Sequence, residues 1–589
     1  MPLFWQIVQT VWRARVLYFW PIWITITVAA AIVVAWMVGR KSTQACEKAE
    51  GVPTDLEQTR RRVWSSEAIV ALISLGMVLV CYIVVNLRWE DFAYSDNDML
   101  TLITLKGHDI TPPIWKGEGR FFPLGHQEFN LIRHFTNTVV GYHALPIIQL
   151  PIMCCILLIL MDNLSVTTRA AIAAFVLISP AIVVSFGGLI FPERNVVFWL
   201  VCLALCVKRF EQTHIAGWAV AAVVCAQFMI YYKETAFILL VGFSVGRLIL
   251  RCRKADRAGW NYSRLRDTES RLDLCLTGSG VMFLLYYLVA MLPHPSMKYA
   301  DKMQQPIVEV ILSYIKLDLL AWLFVGVVLY RTYLIRCRKV TPSLLWDGLA
   351  FGGVACFASY LCLHMFSDYF MAPVDVIAVL YLGRLAILSW AKTPLWGKVV
   401  GWSFLLLILF QDISLSAFAV YERKNIIHAK AEIARVVEAR YQSGTGNVQR
   451  VFFPFASPYR VMEFASYLNY KGVPVKGATV DSTELKSVVL VSRSVAKNGP
   501  CVEWRTLECQ TGSSPDPADL VILLPDDDAA LTEITPYLAH SDLLLSYEPH
   551  PRIPLWFYAC IRRLHIASTP FPLKELPAYW LHGSVTLWK

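Results

Sequence analysis

Charge is scarce in this chain. Asp, Glu, Lys and Arg make up 17% of the 589 residues, 56% are hydrophobic and the mean hydropathy is +0.49, whereas soluble domains carry about 25% charged residues. That balance excludes an ordinary soluble protein and makes the lipid bilayer the first expected partner. The net charge of +10 does not read as a nucleic-acid patch, because the Lys and Arg residues fall in short loops between apolar runs, where they report topology. No nucleic-acid partner is expected. Paired CxxC motifs are absent, so the fifteen cysteines give no zinc signature. Most of them (Cys154, Cys155, Cys202, Cys206, Cys225, Cys275, Cys356, Cys362) sit in apolar runs as small hydrophobes. Cys501 and Cys509 lie in a polar region and can close a small disulfide loop if that region is extracytoplasmic. No metal or other cofactor is expected, although a divalent ion is compatible with the residues. Internal repeats and low-complexity segments are absent too. A cleavable signal is not expected: Arg13 and Arg15 precede an apolar run, 16–38, that is long enough to span and too long for a signal core.

What is present is a series of apolar segments at spanning length, which takes about 17 to 25 residues. Twelve are expected, over 17–38, 67–88, 143–162, 169–189, 195–208, 215–232, 235–250, 273–292, 312–335, 346–366, 373–390 and 399–419. Lys and Arg concentrate in alternate loops, at Arg60–Arg62, Lys208–Arg209, the stretch from Arg251 to Arg271, and Arg336–Lys339. Those loops are assigned to the cytoplasm, which puts the N-terminus outside. Arg13 and Arg15 oppose that placement unless 1–15 lies as an interfacial helix.

Composition changes after Val420. Short β-branched runs at 449–455, 487–492, 520–524 and 542–547 alternate with helical patterns at 459–470 and 529–538. They predict a small α/β domain on the outer side. The expected fold is therefore an all-α polytopic membrane bundle of about twelve helices followed by an extracytoplasmic α/β domain. The divisions are 1–66 (a first helix and a cytoplasmic loop), 67–419 (the main bundle, with an outer loop at 89–142) and 420–589.

The unusual polar residues crowd the outer ends of the helices. The first outer loop carries Asp91, Asp96 and Asp98, then Gly119-Arg120-Phe121-Phe122-Pro123-Leu124. Later outer turns carry Pro192-Glu193-Arg194, Lys233-Glu234, and His364 through Asp368-Tyr369 to Asp375. Ionisable groups at a membrane edge cost desolvation energy unless they face water or each other, so their convergence on one side suggests a shared polar cavity. A carboxylate there can act as general base on a hydroxyl, and Lys or Arg can hold a phosphate. The plain alternatives are local ion pairs, Glu193 with Arg194 and Lys233 with Glu234, and solvated caps for the aspartates. Asp526-Asp527-Asp528 reads as a solvated turn rather than a metal site, and His364 as an interior hydrogen-bonded residue.

Over 67–390 the chain resembles the GT-C superfamily of polyprenyl-phosphate-sugar-dependent glycosyltransferases, in the branch related to protein O-mannosyltransferases. Phe92-Ala93-Tyr94-Ser95-Asp96 is similar to the family's F-x-Y-D-D context, with Ser95 replacing the first acid. Phe122-Pro123-Leu124 is similar to its R-P-L turn, with Arg120 shifted back, and Pro192-Glu193 and Lys233-Glu234 match later motifs in order. The resemblance implies inverting transfer of a sugar from a polyprenyl-phosphate donor to an extracytoplasmic glycan, lipid or protein. Asp96 would be the base, with Asp98 or Asp91 as alternates. Lys233, Arg194 and Arg120 would lie near the donor phosphate, supported by Glu193, Glu234, His364, Asp368 and Tyr369. It also implies a bacterial inner membrane, with the C-terminal domain in the periplasm or outside. A polysaccharide polymerase or ligase is an alternative, although such enzymes tend to carry their long loop late in the bundle rather than early. A twelve-helix transporter is a further alternative, disfavoured by the lack of a repeat and by acids at one interface rather than at mid-membrane.

Overall fold

The computed structural model describes residues 19–45, 66–88, 91–93, 100–101, 103–115, 119–253, 262–291, 305–390, 393–443, 449–453, 458–473, 475–476, 488–492, 510–511, 520–523, 542–547 and 579–583. Asp96, Asp98, Cys501, Cys509, the run Asp526–Asp528 and the expected helix 529–538 lie outside the described residues. The chain divides into two compact units.

Unit 1 comprises 1–86, 111–128 and 143–419. The elements from Phe19 to Cys252 are α1 (Phe19–Ala45), α2 (Ser66–Arg88), the two-stranded β1 (Ile114–Trp115) and β2 (Arg120–Phe121), α3 (Gln127–Ile132), most of which groups with unit 2, α4 (Val139–Leu160), whose first turn does so too, α5 (Val166–Ile178), α6 (Pro180–Gly187), α7 (Glu193–Thr213), α8 (Ala216–Tyr232) and α9 (Ala236–Cys252). There follow α10 (Thr268–Met291), α11 (Ile307–Leu317), α12 (Leu319–Arg336), α13 (Leu344–Cys362), α14 (Ala372–Trp390) and α15 (Leu395–Ser443), which continues into unit 2. Each of the twelve expected spans is helical. Among the described residues, eight helices are long and apolar enough to cross a membrane, or nine if one bent pair is counted as a span. The expected twelve is thus reduced, for identifiable reasons. Helix α7 carries Glu193, Arg194, Lys208, Arg209 and Glu211, and α8 and α9 have 17 residues each.

The bent pair is the expected span 169–189, which breaks into α5 and α6 at an angle of 66°. Ser179 is extended there, and Pro180 removes the amide that would continue α5. The expected span 312–335 is likewise interrupted. Asp318 leaves helical geometry and caps α12 by accepting the Ala321 amide at 2.8 Å.

Unit 2 comprises 87–110, 129–142 and 420–589, so most of the first outer loop groups with the C-terminal segment. After α15 come β3 (Gln449–Phe453), α16 (Pro458–Tyr470), β4 (Val475–Lys476), β5 (Val488–Ser492), β6 (Gln510–Thr511), β7 (Leu520–Leu523), β8 (Asp542–Tyr547) and β9 (Tyr579–Gly583). They form one sheet in the order β4-β5-β3-β7-β9-β8, with β6 beside β5. The pairings around β3 and β5 are parallel, while β9 runs antiparallel to both β7 and β8. The four expected strands are all present, and β4, β6 and β9 are additional. Val451, Phe453, Leu520 and Ile522 bury one face of the sheet with Val461, Phe464 and Leu468 of α16, which is the layer packing that an α/β pattern dictates.

Candidate active site

Three short segments of unit 1 that interrupt or precede helices carry the outer-loop charges. The first is the hairpin strand and turn 120–128. Strand β2 pairs antiparallel with β1, the Phe122 amide donates to the Pro113 carbonyl at 3.1 Å, and the Leu124 amide donates to the Tyr231 carbonyl at 3.1 Å. That last bond fastens the turn to the end of α8. Gly125 allows the chain to fold over Phe122, since a Cβ there would lie 2.3 Å from the ring. His126 follows at φ 65°, in the left-handed region. The second segment is the start of α7, where Pro192 stands before Glu193, an acid in the first turn as the helix dipole favours. The third is the break between α8 and α9, where Lys233 is extended and Glu234 follows.

Each segment supplies one cation and one glutamate, and every cation pairs with a glutamate of another segment. Arg120 Nε donates to Glu234 Oε1 at 2.5 Å. Lys233 Nζ lies 2.7 Å from Glu193 Oε1. Arg194 Nη2 donates to Glu128 Oε1 at 3.1 Å, and the same oxygen accepts Asn195 Nδ2 at 2.8 Å. The three pairs close a ring through all three segments. Neither local pair considered from the sequence forms. Aromatic faces complete the cations' surroundings, with Arg120 4.6 Å from the Phe122 ring and Lys233 4.9 Å from Phe370.

All six charges are largely screened from water. Arg194 is completely buried, Lys233 and Glu193 are 7% and 1% exposed, and the most open member, Glu234, is 23% exposed. Burial raises the Glu128 carboxyl above its ordinary range, opposed by Arg194, its own backbone amide and Asn195. Burial also acts to raise Glu234, but Arg120 and Lys233 outweigh it and hold that carboxyl low. His126 is lowered to about 3 by burial, then by Arg194, Arg120 and Lys233. It is therefore a neutral imidazole set among the ring's cations.

No family model matches this sequence, and no curated protein matches it. One solved structure is similar. It is the crystal structure of ArnT from Cupriavidus metallidurans bound to undecaprenyl phosphate, at 11% identity and a TM-score of 0.45, covering 88% of this chain and 98% of that one.

The remaining expected site residues divide. Tyr369 reaches the second segment through Phe191, ring to ring at 4.6 Å, and its neighbour Phe370 underlies Lys233. His364 adopts φ 55° and accepts the Gln305 amide on its carbonyl, while its side chain has no recorded partner among the described residues. The side chain of Asp368 is outside the described residues. Asp91 belongs to unit 2, where Oδ2 accepts Tyr467 Oη at 2.7 Å and Lys471 Nζ at 3.1 Å and Oδ1 accepts the Phe92 amide. Phe92 stands edge-on to Tyr142 and Tyr470 beside it.

Sequence reasoning missed Glu128, which had been absorbed into an amphipathic-looking run. It also missed two buried groups in the bundle. Arg247 and Arg251 of α9 engage Glu211 of α7 and Glu269 and Asp273 of α10. The i, i+4 spacing of both 247/251 and 269/273 was the available signal. The second group is Asp318, Asp375 and Asp412, with Ser179 at the α5/α6 break donating to Asp375 at 2.5 Å. Among the described residues no cluster of His, Cys, Asp or Glu has the arrangement of a metal site.

Proposed function

We propose that this protein is a GT-C-type membrane glycosyltransferase that moves a sugar from a polyprenyl-phosphate donor to an extracytoplasmic glycan, lipid or protein. The observation that carries the reading is the ring itself: three motif segments, distant in sequence, bring three cations together at the ends of membrane helices. Cations held there by turns suit an anionic phosphate headgroup, and Arg in particular can meet phosphate with two parallel donors. Lys233, Arg120 and Arg194 are assigned to the donor phosphate, Glu193 and Glu234 to holding those cations, and Tyr369 to packing the second segment.

In the reaction, the acceptor oxygen forms a bond to the anomeric carbon from the face opposite the phosphate. The carbon–oxygen bond to phosphate breaks with its electron pair going to the phosphate oxygen, so the configuration inverts. The acceptor proton passes to a carboxylate, assigned to Asp96 with Asp98 and Asp91 as alternates. The purified protein, given a polyprenyl-phosphate sugar, is expected to release lipid phosphate and to lose this activity on Asp96→Asn. Full turnover by the variant would remove Asp96 as the base, and no turnover of any lipid-linked sugar by the parent would remove the class.

One observation favours a second reading, a transporter: the broken pair α5/α6 with buried Asp375 at its break is a feature that transporters share. Flux of a solute through reconstituted vesicles, with no glycosyl transfer, would select it.

A further inference from the structure

The ring balances, with three cations against three glutamates, so a phosphate entering it arrives as a surplus negative charge in a buried site. An uncompensated buried anion is costly, and the least expensive remedy is a proton taken up by one of the resident carboxylates. The three glutamates are not equivalent candidates. Glu193 is 1% exposed and lies against Lys233. Glu234 faces both Arg120 and Lys233, which stabilise its ionised form. Glu193 and Glu128 each face one ring cation on one oxygen and each keep a buried Oε2, but Lys233 stands 2.7 Å from Glu193, whereas Arg194 stands 3.1 Å from Glu128, the longest of the three pairs: Glu128 Oε1 carries both Arg194 and Asn195, while Oε2 has no hydrogen-bond partner among the described residues. That oxygen is placed to carry a proton without breaking an existing contact.

We propose that Glu128 takes up a proton when a phosphate group binds at the ring, so that anion binding and protonation of this one carboxyl are coupled. The inference rests on the phosphate-donor reading and adds to it a specific pH dependence. The groups facing Glu128 are consistent with it. Arg194 and Asn195 approach from α7, Tyr232 from the end of α8, and His126 from its own segment. His126 is unsuited to the proton, since burial and the three cations around it oppose its charging, and burial keeps the Tyr232 phenol already protonated. Burial already biases the Glu128 carboxyl toward its protonated state.

The test is calorimetric binding of a farnesyl methyl phosphodiester, whose single charge does not titrate between mildly acid and mildly basic pH, with dimethyl phosphate as the headgroup-only arm. Running it in buffers of different ionisation enthalpy counts the protons exchanged. The whole protein in detergent is expected to take up about one proton per diester bound, and its affinity to fall by up to about tenfold per pH unit above the free Glu128 pKa. Glu128→Gln is expected to bind with no proton uptake and with little pH dependence. If the headgroup arm alone reproduces the proton uptake, free phosphate esters are as good a ligand as a lipid; if only the farnesyl arm binds, the ligand is a lipid.

Binding of the diester without proton uptake would overturn the coupling while leaving the phosphate reading standing. Uptake that persists in Glu128→Gln would overturn the assignment to Glu128. Failure of both arms to bind at any pH would remove the phosphate reading and this inference together. Should Glu128→Gln not fold, the parent labelled with carboxyl-¹³C glutamate decides the matter. Addition of the diester must then produce a protonated-carboxyl infrared band that is absent from Glu128→Asp or shifted in it, and a spectrum without that band overturns the proposal.

Discussion

Two buried networks in unit 1 use the same residue types and differ in where their unsatisfied atoms lie. In the first network, Arg247 and Arg251 of α9 meet Asp273 Oδ1 and Oδ2 at 2.7 and 3.1 Å and share Glu211 Oε1 at 2.9 and 3.1 Å. Its buried orphan atom is Arg247 Nη2. In the ring, the orphan atoms include carboxylate oxygens on Glu128, Glu193 and Glu234. The first network stands on the last turns of α7 and α9 and the first turns of α10, the ring on non-helical turns and helix starts. Helical carboxylates each shared by two guanidinium groups make a clamp. Turn positions with spare carboxylate capacity make a site that can change its proton content, and that difference is why the proposed chemistry is placed at the ring.

The comparison breaks most sharply at Arg247. Arg247→Met leaves the buried Asp273, and the half-buried Glu211 beside it, with reduced compensation and is expected to cost about 3–5 kcal/mol of stability, read as a lowered unfolding midpoint in detergent. Arg247→Met with Glu211→Gln and Asp273→Asn should recover most of that loss. If the single variant is as stable as the parent, the first network is not a clamp. At the ring the weight shifts to activity. Lys233→Met combined with Glu193→Gln removes one ion pair without stranding a charge, so its unfolding midpoint should stay near the parent's. Its turnover of a polyprenyl-phosphate sugar should fall by about 10²–10³-fold, as for loss of one donor to a developing oxyanion. An unchanged rate would make the ring a clamp like the other.

A third expectation sharpens the comparison through pH. His126 titrates at about 3 in the folded protein, against 6.5 for an ordinary histidine. The unfolded chain therefore binds the proton first as pH falls. The stabilisation from a neutral His126 is fully present above pH 6.5 and is lost progressively between 6.5 and 3, reaching about 3 kcal/mol at pH 4. His126→Asn, a residue that tolerates the left-handed backbone found there, should flatten that acid limb. Denaturant unfolding at pH 7 and pH 4 on both proteins measures it, and parallel acid limbs would show that the ring's cations do not act on this imidazole.

How much of this was legible beforehand follows the physics of each signal. Helices announce themselves through long apolar runs, so every expected span is helical; their lengths as membrane spans were not legible, because Ser179-Pro180 and Asp318 break the backbone inside runs that remain apolar by composition. That Glu193, Arg194, Lys233 and Glu234 share one end of the bundle was expected from loop charge, and the structure brings them together. Their partners were not expected. Adjacent residues on a helix point roughly 100° apart, so Glu193 and Arg194 diverge by geometry, and each finds a partner that only tertiary folding brings near. Glu128 was invisible for the same reason, since an acid in a polar run looks solvated until Arg194 is seen beside it. In unit 2 the parallel core β3–β5–β7 was readable from β-branched runs, whereas β4 and β6, with two residues each, carry no periodicity to read.

The smallest expected effect concerns Asp91, and it decides between a tie and a catalyst. Asp91 spends both oxygens inside unit 2, on the Tyr467 hydroxyl, the Lys471 ammonium and the Phe92 amide. Asp91→Asn keeps one carbonyl oxygen to accept from these donors and loses the ion pair with Lys471, whose side chain is 34% exposed. A partly exposed pair of this kind contributes about 1 kcal/mol or less, so the unfolding midpoint should drop slightly and turnover should change by no more than a few-fold. A loss of about 10²-fold or more in turnover, with the midpoint unchanged, would mean that Asp91 leaves Tyr467 and Lys471 during the reaction and takes the acceptor proton itself. The base would then move from Asp96 to Asp91.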